Sequence, residues 1–187
     1  SEMCIRDSIE TAQKHLQKQN FDKALKEYLK AHEEDAKDVR VAQKLGELYY
    51  KTGNKKEAIK FYKLAGSIYS RDGFHQKAIA AYKHILDIDS NFNEIRLEVA
   101  NLYRKLGLMA EATPQYREAL KFYEEQGDRD KVLEILRNLV ELEPRSVNNR
   151  IKLAEMYLKG GQREQGYTEF KRASDELKSA GTASYTH

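Results

Sequence analysis

KLGELYYKTGNKKEAIKFY, residues 44–62, is the stretch whose reading decides the fold. Leu45, Gly46 and Tyr49 fall at helical spacing, Gly53-Asn54 interrupts the pattern, and Ala58 and Tyr62 open a second apolar stripe. That spacing predicts two helices joined by a tight turn. The arrangement returns as EVANLYRKLGLMAEATPQY at 98–116 and as KLAEMYLKGGQREQGYTEF at 152–170. An offset of 54 brings Leu45, Val99 and Leu153 into register, and with them Gly46, Ala100 and Ala154 and then Tyr49, Tyr103 and Tyr157. Gly53, Gly107 and Gly161 coincide next, followed by Ala58, Ala112 and Gly166, and by Tyr62, Tyr116 and Phe170. Repetition on this scale decides an architecture before any site is considered.

Each unit reads as three helices. The first, near 39–52, carries small residues where neighbouring backbones come close. The second, near 55–71, sets Ala58, Phe61, Tyr62, Ala65 and Tyr69 on one face at spacings of three and four. RDG at 71–73 and EQGDRD at 126–131 break the chain, with glycine in the left-handed cap position. The third, near 74–88, ends in LDIDSN, and its later copy ends in LELEPRS. About ten helices and no strand are expected. The units run near 39–92, 93–146 and 147–181, preceded by a partial unit at 9–38.

Composition agrees with a helical, surface-rich chain. Charged residues make up 34%, and 33 basic residues stand against 30 acidic ones, spread along the whole length. That is a mixed-sign, solvated surface and not the basic stripe of a nucleic-acid binder. Apolar runs are only a few residues long, too short to cross a bilayer. A single cysteine, Cys4, excludes an internal disulfide framework. MCIRDS at 3–8 resembles a translated sequencing adaptor, and the final SYTH has the same look. Residues 1–8 are therefore expected to be a non-native or disordered head and 182–187 a disordered tail, around one domain at 9–181. The chain is expected to be a piece of a longer, cytoplasmic protein.

Leu45-Gly46, Tyr49, Ala58, Tyr62 and Ala65 resemble the tetratricopeptide repeat, a helix-turn-helix unit of 34 residues. The pattern starts at 5, 39, 93 and 147, and again at 59 and 113, where Gly66, Tyr69, Ala78 and Tyr82 or Leu120, Tyr123, Val132 and Leu136 carry it. Starts alternate between offsets of 34 and 20, so the second helix of one repeat also serves as the first helix of the next. The merged arrangement also resembles, more loosely, the helical layers of vesicle-fusion adaptor proteins. The resemblance implies an all-α, right-handed α-solenoid of antiparallel helices in which each unit covers the apolar stripe of its neighbour. Tyrosine suits the motif positions because its ring fills a gap between helices while its hydroxyl reaches the wet edge.

Little in the sequence suggests chemistry. His15, His32, His75, His84 and His187 never pair at metal-ligand spacing, so no metal or cofactor is expected. Glu33-Glu34 and Glu124-Glu125 read as solvated helix ends and not as an acid–base pair. No phosphate loop and no nucleophile in a recognisable turn occurs, so an enzyme is not expected.

The resemblance implies instead a ligand surface on the first helix of each repeat. Its outward positions are Gln43, Glu47, Tyr50 and Lys51, then Leu97, Asn101, Arg104 and Lys105, then Ile151, Glu155, Leu158 and Lys159. Tyr49, Tyr103 and Tyr157 are expected to point into the stack. A clamp for a terminal carboxylate is rejected, because Asn101 and Lys152 lack the partnering lysines. The expected function is a non-catalytic scaffold that binds a peptide segment or helix of another protein. Two readings compete with it: a nucleic-acid-binding helical repeat, against which Glu47, Asn101 and Glu155 stand, and a recruiting or regulatory module of a larger enzyme. Phe170, Ala173 and Leu177 continue an apolar stripe without a covering third helix, so weak end-to-end self-association is expected at high concentration.

Overall fold

The computed structural model describes residues 2–183, with side chains described over 3–180. Those residues form ten helices and no strand: α1 (Glu2–Gln17), α2 (Phe21–Glu34), α3 (Val39–Lys51), α4 (Lys55–Arg71), α5 (His75–Ile88), α6 (Asn93–Lys105), α7 (Met109–Gln126), α8 (Arg129–Leu142), α9 (Val147–Lys159) and α10 (Arg163–Ala183). The 54-residue register is met to the residue for two of the three helices in a unit. Shifting α2 gives the bounds of α5 and then α8, and shifting α3 gives those of α6 and then α9.

The turns follow from the glycines. Gly53, Gly73, Gly107, Gly127 and Gly161 all adopt positive φ, between 71° and 82°, the left-handed conformation that a side chain disfavours. Gln19 takes the same conformation at φ 56° in register with Gly73 and Gly127, and is the one non-glycine to do so among the described residues. Helix starts are mostly capped by side chains: Asn20, Asp38, Asn54, Asp128 and Ser146 each accept from a backbone N–H in the following turn.

The chain divides into two compact units, Ser1–Leu106 and Gly107–His187. In the first unit each helix from α1 to α5 packs on the next. Ala24, Tyr28, Ala31, Val41, Leu45, Leu48 and Phe61 form one buried cluster, while Ala58, Tyr62, Ala78, Tyr82, Ile85, Ile95 and Val99 form the next. The shared-helix reading has a direct signature here. Gly46 on α3 lies against the ring of Tyr62 on α4, so close that a Cβ would sit 2.9 Å from Cδ1. Gly66, also on α4, lies against the ring of Tyr82 on α5 more tightly still. One helix thus gives its tyrosine to the helix before it and its glycine to the helix after it.

In the second unit α7 packs on α8, α8 on α9 and α9 on α10. Leu120 and Leu136 take the register positions of Gly66 and Tyr82 and are both buried. Volume moves from one partner to the other while the register is kept. Glu169 is buried on α10, accepting from Arg150 at 2.9 Å and from Arg172 at 2.7 Å.

Of the head expected over 1–8 to be non-native or disordered, residues 2–8 belong to α1, and Ile5 and Ile9 pack with Leu16 against the cluster around Ala12 and Ala24. The spacing 5, 9, 12, 16 is an amphipathic stripe that α2 covers. Of the expected tail, 182 and 183 continue α10, and 184–187 lie outside the described residues.

Candidate functional site

Four helices of the first unit enclose a cleft of about 330 Å³. Ile9 and Gln13 come from α1, Tyr28 from α2, Arg40, Val41, Gln43, Lys44 and Glu47 from α3, and Tyr69 from α4. The α3 residues share one side because 40, 43, 44 and 47 recur at spacings of three and four. Asp38 starts that helix, accepting from the backbone N–H of Arg40 and Val41, and its carboxylate also holds the Arg40 guanidinium at 2.7 Å.

A chain of hydrogen bonds runs through the cleft. The Tyr69 hydroxyl donates to Gln43 Oε1 at 3.0 Å, the Gln43 amide donates to Glu47 Oε1 at 3.3 Å, and Lys44 Nζ donates to Glu47 Oε2 at 2.7 Å. Burial pushes the Tyr62 phenol up to about 12, with the Glu47 carboxylate adding to the effect. Burial likewise raises the Tyr28 phenol, Lys44 opposing and Glu47 reinforcing. Both phenols therefore stay protonated at neutral pH beside Glu47. Gln43 keeps one amide hydrogen and one carbonyl lone pair beyond these bonds, the complement of a peptide group.

The second unit carries a cleft of about 250 Å³ whose lining shares three register positions with the first. Val132 and Leu136 of α8 and Lys152, Glu155, Met156 and Lys159 of α9 line it, with Glu124 and Gly127 from the end of α7 and Arg129 from the start of α8. Lys152 Nζ donates to Glu124 Oε1 at 2.8 Å. An offset of 108, twice the repeat, superposes Lys44 on Lys152, Glu47 on Glu155 and Tyr28 on Leu136.

The expected surface is partly assembled. Gln43 and Glu47 line the first cleft, and Glu155 and Lys159 line the second. Tyr50 is exposed (52%), as are Lys51, Arg104 and Lys105, and Asn101 is half-buried. Leu97 is a correction: it was expected to face outward and is buried, with 3% of its surface exposed. Its register partner Gln43 is already half-buried beneath Tyr69, and a leucine at such a position has no polar group to keep wet. Ile151 and Leu158 are half-buried for the same apolar reason, Leu158 lying against Gly166. Tyr49, Tyr103 and Tyr157 are half-buried and not fully inside the stack. Tyr49 stacks on Phe61 at 5.6 Å, whereas the Tyr157 hydroxyl accepts from Arg137. Sequence reasoning missed Tyr69, Tyr28 and the α1 wall of the first cleft. Their aromatic, motif-register positions had marked them as packing residues, and α1 had been read in part as a foreign head.

Among the described residues no group of side chains is placed to hold a metal ion, and no helix is long and apolar enough to cross a membrane. Two tetratricopeptide-repeat family models match the chain, one over residues 15–73 and one over 63–125. No curated protein matches it. Similar solved structures include BtubC from P. vanneervenii, 16% identical over 95% of this chain and 92% of that one, with a TM-score of 0.42. A tetratricopeptide repeat protein from Parabacteroides merdae is 18% identical over 93% and 80%, with a TM-score of 0.33. YrrB, described as a tetratricopeptide repeat protein with an unusual peptide-binding site, is 17% identical over 80% and 91%, with a TM-score of 0.34. With the two family models together spanning residues 15–125 and ten helices keeping one 54-residue register, the chain belongs to the tetratricopeptide-repeat family.

Proposed function

We propose that the chain is a protein-interaction scaffold whose first-unit cleft binds an extended segment of another protein. The observation that carries this reading is the Gln43 amide, held between Tyr69 and Glu47 in a cleft with apolar walls at Ile9 and Val41. A side-chain amide fixed at both ends can pair with a peptide group while the walls accept alternate side chains. Specific pockets combine apolar lining with a few oriented polar groups in this way. Both cations of the cleft are already engaged, Arg40 by Asp38 and Lys44 by Glu47, and so do not form a free phosphate track. The second-unit cleft, with Glu155 and Lys159, is the second candidate surface.

Calorimetric titration with pools of extended decapeptides tests the reading. Gln43→Ala is expected to weaken peptide binding about tenfold while leaving the melting temperature within a degree or two of the parent. Tight binding of single-stranded RNA that collapses steeply with salt, and no response to peptides, would replace the scaffold reading by the nucleic-acid one.

A further inference from the structure

Three helix starts in the same register carry Asn20, Phe74 and Asp128. Asn20 and Asp128 cap their helices, accepting from the backbone N–H of Lys23 and Lys131. Phe74 at the start of α5 offers no such bond, and 55% of its surface is exposed. Phe92, another aromatic at a helix start in this unit, is half-buried and packs against the core cluster around Ile95 and Val99. Packing thus compensates Phe92 for its lost cap. Phe74 has no comparable return: its ring meets Tyr69 edge-on, centroids 6.4 Å apart. A position that gives up a cap to display an aromatic ring breaks a local rule of stability, as functional positions do.

The surroundings of Phe74 point to an occupant. Lys77 Nζ stands 5.1 Å from the Phe74 centroid and 5.7 Å from that of Tyr69, and no carboxylate among the described residues pairs with it. The neighbouring charges Arg71 and Asp72 cancel each other at 2.9 Å. Tyr69, which lines the cleft and donates to Gln43, is also the ring that Phe74 meets, so one residue joins the patch to the cleft. Residues 1–106 carry 20 basic and 16 acidic side chains, whereas 107–187 carry 13 and 14, so the positive excess lies with the unit that holds the cleft.

We infer that Phe74, Tyr69 and Lys77 form an anchor for an aromatic side chain adjacent to an acidic one in the protein segment that occupies the first-unit cleft. The inference rests on the peptide reading above. The ring of the ligand stacks against Phe74 and Tyr69, and its carboxylate meets Lys77 where the charge is otherwise unbalanced.

The test uses the whole chain and fluorescein-labelled decapeptide pools with random flanks and a fixed Phe-Glu, Phe-Lys or Ala-Ala centre, read by anisotropy. The Phe-Glu pool is expected to bind the parent most tightly. Phe74→Asn should restore a cap and raise the melting temperature while weakening the Phe-Glu pool about tenfold. Lys77→Glu should turn the preference toward the Phe-Lys pool. If Phe74→Asn lowers the melting temperature, or leaves Phe-Glu binding unchanged while Gln43→Ala weakens all pools, the anchor is wrong and the cleft reading stands. If no pool binds the parent, or an RNA oligomer outcompetes every pool, both fall together.

Discussion

Helices α1–α4 and α7–α10 occupy the same register 108 residues apart, yet they are held together differently. In the first set, position 61 is a buried phenylalanine that stacks on Tyr49 and meets the edge of His32 at 5.2 Å. Its counterpart in the second set is Glu169, buried between Arg150 and Arg172. Gln43 is tied to Tyr69, whereas the counterparts of that pair, Ile151 and Leu177, carry no polar group and Leu177 is 57% exposed. The backbone plan therefore specifies where volume must go and leaves open whether an aromatic ring or an ion pair supplies it.

The largest test of that statement is at Gly66. Gly66→Leu drives a side chain into the Tyr82 ring and is expected to destabilise the first unit by about 3 kcal/mol. Adding Tyr82→Leu recreates the pair found at Leu120 and Leu136 and should recover most of the loss in urea denaturation. If the double variant is no better than the single one, the two units do not share a packing rule.

The second test is Glu169→Ala. It leaves the Arg150 guanidinium, 12% exposed, without its carboxylate, and removal of one partner of a buried pair is costly. A loss of about 2 kcal/mol is expected, discounted because the Pro144 carbonyl still accepts from Arg150. An unchanged urea midpoint would show that the ionic core of the second unit contributes nothing.

Gln19→Gly comes third. Gln19 holds the positive φ that glycine holds in register at 73 and 127, and relief of that conformation should add about 1 kcal/mol to the first unit.

The smallest effect concerns pH. Burial lowers the pKa of His32 below its ordinary value of 6.5, with Lys60 adding to the shift and Asp35 and Glu33 opposing it. Its Nδ1 is buried without a hydrogen-bond partner among the described residues. The unfolded chain therefore binds the proton more readily. Stability is complete above the ordinary value and declines as pH falls from 6.5 through the lower folded value. The urea midpoint should drop between pH 7.5 and pH 5.5, and by less in His32→Gln.

These contrasts also mark what a sequence displays and what it hides. Helix bounds were legible because glycine at 53, 73, 107, 127 and 161 fixes the turns and apolar spacing fixes the faces. Gly46 and Tyr62 were legible as a repeated pair, although not as a contact. The Tyr69–Gln43 bond was not, since it joins residues 26 apart whose hydrogen-bonding capacity is independent of the repeat. Glu169 was hidden because a charge on a helical stripe reads as solvent-facing until Arg150, 19 residues away, is seen beside it. Leu97 was misplaced by the assumption that a motif position keeps one environment in every copy.

The shared helix has a consequence for how such a chain can be cut and rejoined. Because α4 closes one repeat and opens the next, excising 34 residues would remove a tyrosine from one neighbour or a glycine from the other. Excising 54 does neither. Removal of 39–92 would splice the end of α2 to the start of α6, the same junction that α5 and α6 already make. The transferable module of this protein is therefore the triplet of helices and not the pair, and shortening or lengthening by that triplet keeps every seam native.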